Sequence, residues 1–422
     1  MTIKNHTGFI FGYKLTAMKI KLLLFLLLIS AAGVAQTLSI GVWRGVLKTE
    51  AGKEIPFNFA VKTVVGKTQL TIINGDERLK VDGVTYKKDS VFIKLPFDSE
   101  FRLKQTKGSL QGKWIRHLGD HDVAMNFSAI PNYPWRFFKK VATPRVNISG
   151  RWSATFVYKD GKKDVTVGEF KQTGVKLTGT FLTTTGDYRY LEGVVNGDKL
   201  YLSAFDGNHN YLFTANIADN KITNGKLYAG LTSETNWTAV RNANAKLPDA
   251  YSLTALKPGY KKIAFSFKDM NGRQVSLSDS RFKNKVVIVQ ILGSWCPNCM
   301  DETAYMINYY KKYHAKGVEV VGLAYERTKD FAKSKQSLLQ LKNRFNIPYP
   351  LLITGYTPGN GDPEKSLPML KDIIGFPTTI IIDKKGDVRK IHTGFSGPGT
   401  GKYYTEFIEE FETLTDHLLA ER

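Results

Sequence analysis

The sequence predicts an α/β domain in its C-terminal part, preceded by a longer all-β region. From residue 286 onward, short apolar runs alternate with helical stretches, an order typical of a sheet covered by helices. The only two cysteines among the 422 residues, Cys296 and Cys299, stand where the first of these strands gives way to a helix. Before residue 243, short alternating strands are separated by turns rich in Gly, Asn and Asp, which is typical of a sandwich or barrel.

The α/β pattern begins with a buried strand at Val286–Leu292, an apolar run rich in β-branched residues. Helical composition follows over residues 300–313. Further strands are predicted at residues 318–323, 350–353, 378–382 and 388–393, and helices at 329–345, 367–374 and 405–419. A Lys-Gly turn at 385–386 predicts that the last two strands form a hairpin.

The cysteine spacing favours a redox pair. A Cys-x-x-Cys at the start of a helix brings the two sulfurs close enough to bridge, and the helix N-terminus favours the thiolate of Cys296. The thiolate is the attacking species in disulfide exchange. A structural zinc site needs four ligands, and the seven histidines provide no partner pair near the cysteines in sequence. A structural disulfide, the other alternative, normally closes a longer loop.

The segment from about Tyr260 to the C-terminus resembles the TlpA-like extracytoplasmic thiol–disulfide oxidoreductases, a thioredoxin-fold group related to the redoxin and AhpC/TSA proteins. Three motifs carry the resemblance: Trp295 followed by the Cys-x-x-Cys, Gly-Phe-Pro-Thr at 375–378, and Glu302 after the second cysteine. In that family the proline of Gly-x-Pro-Thr is cis. The resemblance covers less than half of the chain and implies an α/β thioredoxin fold.

The resemblance also implies roles for these residues. Cys296 is expected to be the nucleophile, since it lies nearer the helix N-terminus and is the more exposed, and Cys299 the resolving thiol. Pro377 is expected to face the cysteines. Trp295 is expected to cover the site, with a place in the core as the alternative. The hypothesis requires Cys296 to lie near Pro377 and at least one sulfur to be open to solvent.

Two positions near the cysteines concern proton transfer. Gln290 stands where thioredoxins bury an aspartate, and a glutamine cannot act as a base. Glu302 could take over this role if burial raises its pKa. The alternative is an ordinary glutamate near the helix N-terminus, stabilised by the helix dipole.

The implied function is the reduction of protein disulfides, with no cofactor beyond the redox-active pair. Its partners would be protein disulfides and an upstream thiol reductant that the sequence does not identify, and the direction of electron flow also stays open. One alternative is a thiol peroxidase of the peroxiredoxin-related group, but Gly-Ser-Trp precedes Cys296 where those enzymes have Thr-x-x. Another is a non-enzymatic copper-handling protein, which would use a Cys-x-x-x-Cys and a downstream histidine such as His392.

The N-terminus predicts export. A basic start at residues 18–21, an apolar run at 22–32 and small residues at 33–35 form a signal-peptide pattern. Residues 1–35 are therefore expected to be a signal segment whose true start is Met18. The apolar run is short for a membrane-spanning helix, so we expect the periplasm or cell envelope, with an uncleaved membrane anchor as the alternative.

The net charge of +22 comes from 60 Lys and Arg against 38 Asp and Glu. These residues are spread along the chain and no nucleic-acid motif accompanies them, so nucleic-acid binding is disfavoured. Association with anionic membrane surfaces stays open.

The all-β region contains a predicted internal repeat. Residues 41–44 align with 150–153, and residues 89–93 with 198–202, so that strands and turns recur in the same order. This predicts two similar β modules at residues 36–130 and 145–243, followed by the thioredoxin-like domain at 255–422. The modules carry no convincing catalytic constellation, which favours a binding or positioning role.

Overall fold

The computed structural model describes residues 1–2, 37–359 and 361–421. The predicted signal segment, including its start at Met18, lies outside the described residues except for the first two. Within the described ranges, no helix is both long and apolar enough to cross a membrane.

The first β region is an antiparallel sheet to which nine strands belong in the described part of the chain. The strands are β1 Gly41–Lys48, β2 Glu54–Val64, β3 Lys67–Asn74, β4 Glu77–Val81, β5 Gly83–Lys87, β6 Ser90–Leu95, β7 Ser99–Thr106, β8 Ser109–His117 and β9 Asp122–Pro131. Because β1 pairs with both β2 and β9, the meander curls until only β4 and β5 form its edges. Trp43, Phe57 and Trp114 lie in the apolar interior. We call this unit the first barrel.

The second β region, the second barrel, closes completely. Its strands are β10 Gly150–Val157, β11 Lys163–Thr173, β12 Lys176–Thr183, β13 Gly186–Asp187, β14 Leu191–Asn196, β15 Lys199–Phe205, β16 Asn210–Ala218, β17 Lys221–Ala229 and β18 Ser233–Arg241. Strand β11 pairs with β10 and β12, and β10 pairs with β18, so the strands other than β13 form a ring. The prediction of a largely β, barrel-like region is confirmed.

The two barrels share local features at the aligned tryptophans. Trp43 Nε1 donates to Ser39 O at 2.8 Å, and Trp152 Nε1 donates to Ile148 O at 2.9 Å. In each barrel the first strand pairs with both the second and the last. The same indole-to-backbone bond therefore fixes the start of both meanders.

A buried arginine in the connecting segment joins the barrels. Arg136 donates through Nη1 to Ser203 O at 3.0 Å and through Nη2 to Ile73 O at 2.5 Å. Its guanidinium also lies 3.1 Å from the Glu192 carboxylate. One side chain thus bonds the backbones of both barrels.

The C-terminal region is built on a mixed sheet in the order β21-β20-β24-β23-β22-β26-β27. The strands of this region are β19 Ala255–Leu256, β20 Ser266–Asp269, β21 Gln274–Ser276, β22 Val286–Leu292, β23 Val318–Ala324, β24 Leu351–Ile353, β25 Leu370–Lys371, β26 Thr378–Ile382 and β27 Val388–Thr393. The α-helices are α1 Pro297–Tyr313, α2 Phe331–Phe345, α3 Asp362–Ser366 and α4 Lys402–Ala420.

Strand β22 is buried along its whole length because apolar layers cover both faces of the sheet. Ile288 faces the layer that contains Met306 of α1 and Phe411 of α4. Val289 faces the opposite layer, with Phe265 and Leu370. The predicted α/β thioredoxin fold agrees with this arrangement.

The helix predicted at residues 367–374 is wrong. The structure instead has the short α3 at Asp362–Ser366 and then strand β25. Leu367 leaves the helical region with φ −127° and ψ 68°, because the following Pro368 disfavours a helical residue before it. Leu367, Leu370 and Ile373 are all buried, and their three-residue spacing imitated a helix.

A turn of the first barrel inserts into the C-terminal core. Phe97 and Asp98 both have positive φ, 70° and 50°, in the turn between β6 and β7. Phe97 is buried in the same apolar cluster as Met300 and Leu341. The core of the C-terminal region is therefore completed by a residue from the first barrel.

Candidate active site

The two cysteines lie at the corner between β22 and α1. Gly293 ends the strand, and a Cβ there would overlap the indole of Trp295. Cys296 caps the helix: its Sγ accepts the N–H of Cys299 at 3.2 Å. Pro297 takes the first helical position, where a missing N–H costs nothing. The sequence therefore places the first sulfur at the positive end of the helix.

Cys296 and Cys299 are joined in a disulfide, with their Cα atoms 5.2 Å apart. Cys296 is 5% exposed and Cys299 1% exposed, so the expected order holds. The expectation of a solvent-open sulfur is not met in this structure, since both cysteines are nearly buried. The second barrel bonds the two residues between them, Pro297 and Asn298.

The loop before β26 lies against the first cysteine. The Phe376–Pro377 peptide bond is cis, and Cys296 Sγ lies 3.7 Å from Phe376 O. The structure thus brings Cys296 next to the predicted Pro377. The Phe376 carbonyl is therefore a backbone acceptor beside the first sulfur.

Trp295 lies beside the site, half-buried. Its Nε1 donates to Tyr325 O at 2.9 Å, and its ring meets Phe376 edge-on at 5.5 Å between centroids. The guanidinium of Arg327 lies over the indole at 5.0 Å. Trp295 therefore links the cysteine corner to the proline loop.

Glu302 is fully buried, one turn after Cys299 on the same face of α1. Thr379 Oγ1 donates to Oε1 at 2.7 Å, and Gln290 Nε2 donates to Oε2 at 2.8 Å. Burial raises the pKa of Glu302 to about 7, and the two hydrogen bonds oppose that rise. The environment therefore matches the buried alternative, with Gln290 orienting the carboxyl.

A second buried carboxyl, which the sequence reasoning missed, supports the corner. Glu326 follows β23 and accepts both the N–H of Ser294 at 2.9 Å and its Oγ–H at 2.7 Å. Burial raises the pKa of Glu326 to about 7, and the bonds from Ser294 oppose this. The signal in the sequence was an acidic residue shortly after a strand, which is too common to single out.

The sequence reasoning also missed the hairpin of residues 182–187, which lies against Asn298, between the two cysteines, and which we call the covering hairpin. It joins β12 to β13, with Thr183 opposite Gly186. Asn298 Nδ2, between the cysteines, donates to Asp187 O at 3.2 Å. The next turn of chain brings Arg189, whose Nη1 donates to Pro297 O at 2.8 Å.

No cluster of three or more His, Cys, Asp or Glu able to hold a metal occurs among residues 37–359 and 361–421. His392 is buried between Tyr251 and Phe407 and its Nδ1 lies 3.0 Å from Gly394 O. Burial lowers the pKa of His392 to about 4. What the site presents chemically is a disulfide, a backbone acceptor beside it and a nearby buried acid.

Comparison with known proteins matches residues 243–406 to the Redoxin family. The chain is 28% identical over 149 residues to the thiol-disulfide oxidoreductase ResA of Bacillus subtilis, covering 35% of this chain and 74% of that protein. It is 29% identical over 156 residues to ResA of Geobacillus thermodenitrificans, covering 37% and 80%. A solved thiol-disulfide oxidoreductase from Bacteroides fragilis aligns over 35% of this chain and 99% of its own, with 17% identity and a TM-score of 0.28.

Proposed function

We propose that this chain, which carries a Redoxin domain at residues 243–406, is a thiol–disulfide oxidoreductase that reduces disulfides in other proteins. One observation carries the proposal: the Cys296–Cys299 disulfide at the N-terminus of α1, beside the Phe376–Pro377 loop. A thiolate at a helix N-terminus is stabilised, and a neighbouring backbone acceptor can align a peptide that carries the target disulfide.

The reaction starts from the reduced pair. The Cys296 thiolate attacks one sulfur of the substrate disulfide, forms a mixed disulfide and expels the other sulfur as a thiolate. The Cys299 thiolate then attacks the Cys296 sulfur, which releases the second substrate thiolate and forms the disulfide seen here. Two electrons pass to the substrate, whose thiolates take up two protons, and an external dithiol returns two electrons to the pair.

Glu302 is suited to move the proton of Cys299. It lies one helical turn beyond that residue, and with a pKa of about 7 both of its protonation states are populated near neutral pH. As a carboxylate it can accept the Cys299 proton before the resolving attack. Gln290 and Thr379 hold the carboxyl in place for this transfer.

The site of action that we propose is the periplasm or cell envelope. The signal pattern of residues 18–35 supports export, and the lack of further cysteines suits a compartment where stray thiols would oxidise. We further propose that the two barrels are repeats of one module. The matching indole bonds of Trp43 and Trp152 support this.

Replacing each cysteine in turn tests the reaction. C296S is expected to abolish reduction of insulin, because the attacking thiolate is gone. C299S is expected to keep the first attack and to accumulate a mixed disulfide, detected by mass spectrometry. The two variants control for each other, since each removes one buried sulfur. Full insulin reduction by C296S would contradict the assignment.

The direction of electron flow is tested by equilibrating the pair with glutathione. A reductant is expected to have a potential near that of thioredoxins, about −270 mV. A value near about −120 mV, typical of strong disulfide donors, would instead identify an oxidase of thiols.

A further inference from the structure

The tip of the covering hairpin lies against the loop that contains Phe376 and Pro377. Its tip, Thr184 and Thr185, forms a tight turn between the paired Thr183 and Gly186. Thr185 packs directly on Gly375, the residue before Phe376: a Cβ on Gly375 would come within 2.5 Å of Thr185 Cγ2. The tip therefore lies against the same loop whose backbone faces Cys296.

Three glycines make this close fit possible. A Cβ on Gly394 would approach Thr185 C at 2.8 Å and Thr184 O at 2.9 Å. A Cβ on Gly186, in the hairpin itself, would overlap the Asn298 side chain. Glycines on both sides of one contact indicate that the two surfaces are shaped for each other rather than merely adjacent.

The covering hairpin and the nearby Arg189 make polar contacts with the Cys-x-x-Cys motif. Asp187 accepts the Asn298 side chain on its carbonyl and the N–H of Gly397, at 2.8 Å, on its carboxylate. Nearby Arg189 bonds the carbonyl of Pro297 and, at 2.6 Å, the carboxylate of Asp301. Both residues between the cysteines are thus bonded by the second barrel.

The covering hairpin has space beside it. A cavity of about 410 Å³ separates it from the N-terminal end of α4 and is lined by Thr183, Thr184, Ser396 and Tyr403 among others. One flank of the covering hairpin is therefore not held by packing. The cavity leaves room for the hairpin to move.

From these contacts we propose that the covering hairpin is a gate, which excludes protein disulfides until it is displaced. The inference rests on the proposed oxidoreductase function, because the gate would act on the protein disulfides that are the proposed substrates. A segment of a partner protein that pairs with the Phe376 backbone would replace the hairpin tip, while a small disulfide needs less room. The second barrel is thereby the element that selects which substrates reach Cys296.

Two single substitutions loosen the gate without touching the cysteines. D187A removes the carboxylate that binds Gly397, and T185G removes the side chain that packs on Gly375. The matched control is D160A: Asp160 lies in another hairpin turn of the same barrel and accepts a backbone N–H two residues on, from Lys162, as Asp187 does from Arg189.

The measurement compares a protein substrate with a small one. After reduction, each variant is mixed with insulin or with dithiobis(nitrobenzoate). D187A and T185G are expected to reduce insulin about tenfold faster than the wild type, because D187A removes the hydrogen bond to Gly397 and T185G removes the packing on Gly375 from the closed form. The small disulfide should gain less, and D160A should match the wild type in both assays.

Equal insulin rates in wild type, D187A and T185G, with the small disulfide still reduced, would overturn the gate. If no chain reduced either probe, the proposed function itself would fail, so the two failures are distinguishable.

A second measurement does not depend on loosening the gate. C299S is joined through Cys296 to a short cysteine peptide by displacing nitrothiobenzoate from the activated peptide. Hydrogen exchange of residues 182–189 is expected to become faster in this mixed disulfide than in the unmodified variant. Unchanged protection of these amides would also overturn the gate.

Discussion

The two barrels have similar strand order but touch the Redoxin domain at different places. Apart from Phe97, which packs in the cluster of Met300, the first barrel contacts α2, where Ser337 Oγ donates to Asp98 at 2.6 Å and Gln340 Nε2 donates to Leu95 O at 3.1 Å. The second barrel contacts the N-terminus of α1 and the proline loop. If the covering hairpin is the gate that we propose, the loops facing the Redoxin domain, rather than the barrel fold, decide which barrel controls access to Cys296.

The largest expected effect comes from Arg189, whose guanidinium is buried among acidic side chains of all three units. It pairs with Glu77 of the first barrel, Asp206 of its own barrel and Asp301 of α1. R189A is expected to lower the free energy of unfolding by about 3–5 kcal/mol, because buried carboxylates lose their partner. Urea denaturation measures the loss, and insulin reduction at low urea should be faster.

Arg136 provides the matched control for R189A, since it is also buried but joins only the two barrels. R136A is expected to destabilise the chain without changing access to Cys296. If R136A accelerated insulin reduction as much as R189A, general loosening rather than the covering hairpin would explain both variants.

The next largest effect is on the pH dependence of stability, to which Glu302 of the redox site contributes. Because the pKa of Glu302 is raised from 4.5 to about 7, the folded chain binds this proton more tightly than the unfolded chain. Stability from this group is full below about pH 4.5 and declines by about 3 kcal/mol as pH rises to about 7. E302Q is expected to flatten that part of the decline in urea denaturation series.

E409Q, on the exposed face of α4, controls for the loss of a surface carboxylate. If the unfolding of E302Q had the same pH dependence as that of the wild type, the raised pKa of Glu302 would be disproved. Insulin reduction by E302Q should also lose its dependence on pH near 7, if Glu302 accepts the Cys299 proton.

The smallest effect is expected on the supporting side. S337A removes one hydrogen bond between α2 and Asp98 and is expected to lower the free energy of unfolding by about 1 kcal/mol. Insulin reduction should stay at the wild-type rate. A change in that rate would contradict the proposed difference between the barrels, because it would show that the first barrel also acts on the redox site.

Much of the Redoxin domain follows from local sequence. Strands β22 and β26 begin and end where their largely apolar runs do, because each run is bounded by turn residues. The pairing of Cys296 and Cys299 and their place next to Pro377 were likewise readable from spacing and motif.

The rest of the site depends on contacts distant in sequence. Thr185 packs on Gly375 and Asp187 accepts the side chain of Asn298, although the sequence around both residues is that of an ordinary β turn. Glu326 reaches Ser294 across neighbouring parallel strands. No local pattern marks such partners, since they are set by how whole units pack against one another.

Phe97 shows that a residue within the sequence range of one unit can belong to the hydrophobic core of another. This ring belongs to the first barrel by sequence and to the Redoxin domain by burial. A fragment of residues 255–422 would lack Phe97 and so leave an apolar cavity beside Met300, in the first turn of α1. Expression trials should therefore keep the three units together, or fill that cavity by substituting a larger residue for one of those that line it.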